Sequence, residues 1–147
     1  MASTRSRRCG TPSAVCSSVE GVARVLIVED DGDVRDWIAH CLLREGYELR
    51  DVPDGAGALR LRTDEPDYRP DLVLMDYALP DTDGVTLLAE LTAEWPDVPA
   101  VFVTVQWTGV VIDRIARTGH ERVAKPFDAD DLRAAVRRAL GTEGSRR

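Results

Sequence analysis

Lysine is nearly absent: of 19 basic residues in 147, only Lys125 is not an arginine. Cysteine is scarce too. Cys9, Cys16 and Cys41 form an odd, unpatterned set, which excludes a disulfide scaffold and a cysteine-rich zinc site. The only histidines, His40 and His120, have no second ligand or nucleophile near them in sequence, so both are read as structural or exposed. No apolar run approaches the ~18 residues of a membrane-spanning helix. Positive charge is in deficit, with a net charge of -7, which argues against a general nucleic-acid binder. What remains is 44% apolar and 31% charged, the balance of a soluble globular chain with one buried core.

The first segment, residues 1–22, is rich in Ser, Thr, Gly and Ala and carries Arg5, Arg7 and Arg8 without periodic apolar residues. A secretory or twin-arginine signal needs an apolar stretch of ~7–15 residues, and none is present. The segment is therefore expected to be a disordered extension, and the location cytoplasmic. Residues 23–140 are expected to form one domain, and residues 141–147 a C-terminal tail with no output module attached.

Within residues 23–140, short apolar runs alternate with helical patterns five times. The runs are Val25–Val28, Tyr47–Val52, Leu72–Met75, Ala100–Val103 and Arg122–Ala124. The first, third and fourth are continuously apolar, as strands covered on both faces should be, while the second and fifth are polar enough for sheet edges. Val34, Trp37, Ile38, Cys41 and Leu42 make one apolar helical stripe, with Asp33 as a candidate cap and Gly46 as the stop. Weaker patterns follow: Ala56, Ala58 and Leu59 in a second helix, and Leu88, Leu91 and Trp95 in a third that Pro96 ends. Val111, Ile112 and Ile115 mark a fourth, stopped at Gly119, and Asp128 caps a fifth that turns Leu132, Ala135, Val136, Ala139 and Leu140 inward. A β-α unit repeated five times predicts an α/β fold, a parallel sheet with right-handed crossovers and helices on both faces.

Ligands of such sheets bind beyond the carboxyl ends of the strands. Those ends carry Glu29-Asp30-Asp31, Asp76, Thr104 and Lys125-Pro126. Two carboxylates ~4 Å apart repel by ~4 kcal/mol at an effective dielectric of ~20, so gathering Glu29, Asp30 and Asp76 calls for a cation. With oxygen donors alone and no Cys or His beside them, Mg²⁺ fits better than zinc. A compact ammonium at Lys125, in a chain that otherwise uses arginine, suits a point contact to a carboxylate or phosphoryl oxygen.

Together VLIVEDD (25–31), DLVLMDYALPDTDG (71–84), VFVT (101–104) and VAKPF (123–127) resemble the receiver domain of two-component response regulators. The similarity spans about residues 23–140, and the order of the motifs is more specific than any one of them. It implies a flavodoxin-like (βα)5 fold with strand order 2-1-3-4-5. It implies that Asp76 accepts a phosphoryl group from a phosphohistidine, that Asp30 ligates Mg²⁺ directly and that Glu29 does so through water. Asp31 would serve the first helix N-terminus. The Ala78 carbonyl would be a further metal ligand, Lys125 and Thr104 would contact the phosphate, and Pro80, Gly84 and Pro126 would shape the loops. The implied partners are a histidine kinase or phosphotransfer protein and a downstream protein on the face of helix four, strand five and helix five, with no nucleic acid and no membrane. On that face lie Ile112, Ile115, Arg122, Arg133, Arg137 and Arg138, and these arginines suit a solvated surface equally well. No separate enzymatic turnover is expected, only assistance to the chain's own phosphorylation and dephosphorylation. The alternative is a pseudo-receiver, an interaction module that is not phosphorylated. A haloacid-dehalogenase-type hydrolase would need a second Asp two residues after the nucleophile, where Ala78 stands.

Three positions depart from the family pattern. Arg122 replaces a Tyr or Phe whose rotamer follows activation, which puts the usual coupling from Thr104 in question and leaves Trp107 as a candidate substitute. Val105 replaces a small residue and is expected to restrict water and phosphodonor, slowing phosphoryl arrival and loss. Gly119-His120-Glu121 replaces the usual loop before strand five, implying a short or shifted fourth helix.

Overall fold

The computed structural model describes residues 22–105 and 109–141. All but residue 22 of the expected N-terminal extension, Trp107, and all but residue 141 of the expected C-terminal tail lie outside the described residues. The strands are β1 (Arg24–Val28), β2 (Glu48–Val52), β3 (Leu72–Asp76), β4 (Ala100–Thr104) and β5 (Glu121–Ala124). The helices are α1 (Gly32–Leu43), α2 (Gly55–Asp64), α3 (Gly84–Leu91), α4 (Gly109–Thr118) and α5 (Ala129–Leu140).

All strands pair in parallel, in the order β2-β1-β3-β4-β5. The two polar runs are therefore the edges, as their composition requires. Alternate residues of the sheet feed two cores. On one face Leu26, Val28, Val73, Met75 and Phe102 meet Ala58, Leu87, Leu91, Val111 and Ile115 of α2, α3 and α4. On the other, Val25, Ile27, Leu72, Leu74, Val101 and Val103 meet Ile38, Cys41 and Leu42 of α1 and Leu132, Ala135 and Val136 of α5. The central strands are buried on both faces because helices cover both.

Helix ends follow local chemistry, with two corrections to the sequence reading. Asp31 caps α1, in keeping with its expected place at the helix N-terminus, its carboxylate accepting the Asp33 and Val34 amides; Asp33, the candidate cap, sits instead in the first turn. The third helix stops at Leu91 rather than at Pro96, and Trp95 is buried in the turn beyond it, edge-on to Tyr68. At α5, Asp128 accepts the Asp131 amide and Asp131 accepts the Asp128 amide, a capping box. Trp37, placed in the apolar stripe of α1, is instead 40% exposed and lies against Phe127 from the β5–α5 connection. Ile38, Cys41 and Leu42 take the core-facing side of α1, and the Trp37 ring at the margin of that stripe packs on Phe127 instead. Among the described residues no helix is long and apolar enough to cross a membrane.

Candidate functional site

Parallel pairing sets every carboxyl end at one edge of the sheet. Val28 is level with Met75, Asp76 with Val103, and Thr104 with Ala124. Glu29 and Asp76 are thus level, Thr104 lies one residue further along and Lys125 two, so the four reach one edge of the sheet from four adjacent strands. The ladder continues one step past the strands, where the Tyr77 amide donates to the Val103 carbonyl and the Lys125 amide to the Thr104 carbonyl.

Glu29, Asp30 and Asp76 each offer a carboxylate oxygen, and these oxygens lie within 4.8 Å of one another. Glu29 is 1% exposed, Asp76 is also buried, and Asp30 is open to solvent. The Lys125 Nζ donates to Asp76 Oδ2 at 3.0 Å and to Glu29 Oε1 at 3.1 Å. Burial raises the Glu29 carboxyl above its ordinary pKa and the Asp76 charge raises it further, outweighing the Asp31 amide and Lys125. Burial opposes charge on Lys125, but the hydrogen bond and charge of Asp76, then those of Glu29, hold its pKa above the usual lysine value. One ammonium between two buried carboxylates leaves negative charge uncompensated. An all-oxygen set with one solvent-facing member suits a hard divalent cation that keeps part of its water shell.

The loop after Asp76 is built around its carboxylate. Asp76 Oδ1 accepts the Ala78 amide at 3.2 Å, Ala78 bridges to Asp83, and the Gly84 amide donates to the Tyr77 carbonyl at 2.7 Å. A side chain at Gly84 would bring its Cβ to 2.9 Å from the Asp76 carbonyl oxygen and 3.2 Å from the Phe102 ring, so only glycine lets α3 start so close to the acidic edge. Pro80 lies exposed in the same loop, and the Lys125–Pro126 bond is cis. Thr104 is buried at the end of β4, one strand from Asp76.

Of the positions that depart from the family pattern, Val105 borders this cluster and Arg122 faces away from it. Val105 is 63% exposed and joins Asp33, Val34, Trp37, Lys125, Pro126 and Phe127 around a trough of ≈ 490 Å³ beside the site. Arg122 is exposed on β5, by Val123, Asp131, Ala134 and Arg138. The fourth helix runs ten residues and ends where Gly119 takes φ +75°, so Gly119 stops it as expected.

One constellation had no signal in the sequence. Arg114 of α4 donates through Nη1 to the Tyr77 hydroxyl at 2.8 Å and to Asp83 Oδ2 at 3.0 Å. Its partners lie 37 and 31 residues away, so only the fold brings them together.

Comparison with known proteins follows the same lines. The model of the response regulator receiver domain family matches residues 25–137. The transcriptional regulatory protein TcrA of Mycobacterium tuberculosis (strain H37Rv) is 35% identical over 148 residues, covering 98% of this chain and 56% of TcrA. The regulatory protein AtoC of Escherichia coli K12 is 33% identical over 120 residues, covering 81% of this chain and 25% of AtoC. The chain thus spans between a quarter and about half the length of these relatives. Among solved structures, a CheY-like receiver domain protein from Methanospirillum hungatei superposes with TM-score 0.73 at 26% identity, covering 81% of this chain and 94% of that one.

Proposed function

The chain belongs to the response regulator receiver family, and from that premise we propose that Asp76 accepts a phosphoryl group from the phosphohistidine of a histidine kinase or phosphotransfer protein. The observation that carries this reading is the clasp of Lys125 on Asp76 Oδ2 and Glu29 Oε1, beside a third carboxylate at Asp30.

An Asp76 oxygen attacks phosphorus in line, the P–N bond breaks, and its electron pair leaves with the histidine nitrogen. Lys125 stays close to the oxygens that carry the transferred charge, so little reorganisation is needed as that charge moves. Thr104, at the end of the next strand, is the hydroxyl that contacts the bound phosphoryl group. The residues fit Mg²⁺: Asp30, Asp76 and the Ala78 carbonyl would hold it, Glu29 through water, and the ion would neutralise phosphoryl charge. Pro80, Gly84 and Pro126 shape the loops around that pocket. Output runs through protein contacts on the α4–β5–α5 face, and no separate substrate is turned over.

Arg122, standing where the family carries an aromatic, favours a second reading in which the domain is a pseudo-receiver. Incubation with acetyl phosphate and Mg²⁺, followed by intact mass, separates the two. One added phosphoryl group, absent in Asp76→Asn, is the expected result. No mass gain with acetyl phosphate or with kinase donors overturns the proposal in favour of the pseudo-receiver. The same assay on Val105→Ala tests gating, with faster loss of the phosphoryl group expected and an unchanged rate counting against it.

A further inference from the structure

The residue that follows the phospho-acceptor is tied to α4, and nothing in the chemistry of phosphoryl transfer requires that tie. Tyr77 is buried, and its hydroxyl accepts from Arg114 Nη1 at 2.8 Å. The same nitrogen reaches Asp83 Oδ2 at 3.0 Å, and Nη2 lies 3.4 Å from Thr86 Oγ1. The guanidinium carbon sits 5.9 Å from the Tyr77 ring centroid. Asp83 is held in turn by the Thr86 amide and hydroxyl, and it caps α3. Although burial works the other way, these bonds and Arg114 keep the Asp83 carboxyl below its ordinary pKa. One arginine of α4 therefore grips both ends of the loop from Tyr77 to Asp83.

That loop rests on the free carboxylate of Asp76. Oδ1 takes the Ala78 amide and Oδ2 takes Lys125, so both oxygens are engaged before any phosphoryl group arrives. Bonding phosphorus to either oxygen alters one of these contacts. The contact at Oδ1 is the one that sets the loop between Tyr77 and Asp83.

We propose that Arg114, through Tyr77 and Asp83, is a latch that holds α4 to the acceptor loop in the unphosphorylated state and is released when Asp76 is charged. The proposal rests on the phospho-acceptor reading of Asp76. It makes Arg114 a positioning residue whose removal lowers the cost of leaving the unphosphorylated arrangement. Coupling is reciprocal, so a protein bound to α4 that breaks the latch also eases phosphorylation.

Beryllofluoride with Mg²⁺, a phosphoryl mimic, tests the latch by titration and by amide spectra of the full chain. The wild type is expected to bind the mimic and to shift the amides of α4. Arg114→Ala is expected to bind it about fivefold tighter or more, the low end of typical couplings, with α4 amides displaced before the mimic is added. Tyr77→Phe keeps the ring and removes the hydroxyl. It should move affinity and α4 amides in the same direction by less, and it serves if Arg114→Ala fails to fold. Arg114→Lys keeps charge without the guanidinium fork and should fall between Arg114→Ala and the wild type. Unchanged or weaker affinity, with α4 amides as in the wild type, overturns the latch alone. A wild type that binds no mimic overturns the acceptor reading, and the latch falls with it.

Discussion

Lys125 stands between two carboxylates that would otherwise share a buried edge without compensation. Truncating it leaves Glu29 and Asp76 facing each other, and breaking such a pair costs more than the pair contributes. In Lys125→Ala without divalent cations, urea denaturation at pH 7 should show a loss of about 2 kcal/mol, allowing for the solvent that reaches this edge. Mg²⁺ should return part of it by binding only the folded state. Tyr68 is the opposite case, a buried phenol whose hydroxyl has no hydrogen-bond partner among the described residues while Arg50 lies over its ring at 4.9 Å. Tyr68→Phe removes an unsatisfied group and keeps the ring, so stability should stay level or rise by up to about 1 kcal/mol. His120 sits at the far end of the sheet, its Nδ1 accepting from the Ala100 amide at 3.3 Å and its ring edge-on to Phe102. Burial lowers its pKa from 6.5, so the unfolded chain binds the proton first, and stability contributed by the neutral ring is lost as pH falls below about 6.5. His120→Asn keeps an acceptor and removes the titration. Its stability should decline less steeply than that of the wild type between about pH 6.5 and 5, measured by urea denaturation across that window.

At the level of elements, helix starts govern how near the site each helix comes. Gly84 opens α3 against the Asp76 carbonyl, with no room for a Cβ. Gly84→Ala should destabilise by about 1–3 kcal/mol, because the atoms it meets are backbone and a core ring that cannot turn away. The measurement is the urea midpoint, and an unchanged midpoint would show that the loop yields. The α2 start depends on the same loop, since Asp81 accepts the Gly55 and Ala56 amides at 3.0 and 2.9 Å. The loop after Asp76 thus organises the starts of two helices while presenting its own backbone to the acidic edge.

The described residues form two hydrophobic cores on one sheet, and each central strand feeds both. Neither core can be lost while the other keeps its backing, so unfolding should be a single transition. Phe102→Leu on one face and Ile38→Val on the other should each cost about 1 kcal/mol and lower the same transition. Their effects should add in the double variant, because the sheet separates the two sites. Two resolved transitions in calorimetry would contradict this. The functional edge lies at the carboxyl ends of the strands, where the ladder fixes height while short loops carry the chemistry.

Sequence alone determined the alternation of strand and helix, the edge strands and the residues that end each strand. Apolar runs report two-sided burial, and a parallel sheet must deliver its carboxyl ends to one side. Glu29, Asp30, Asp76 and Lys125 stood out for that reason, and the fold brings their side chains together at that edge. Three features were decided only by tertiary structure: the exposure of Trp37 beside Phe127, the burial of Trp95 beyond the end of α3, and the grip of Arg114 on Tyr77 and Asp83. Each depends on where one element lies against another. Periodicity describes a single helix or strand and carries no information about what waits across the gap, so contacts between residues far apart in the chain had to come from packing.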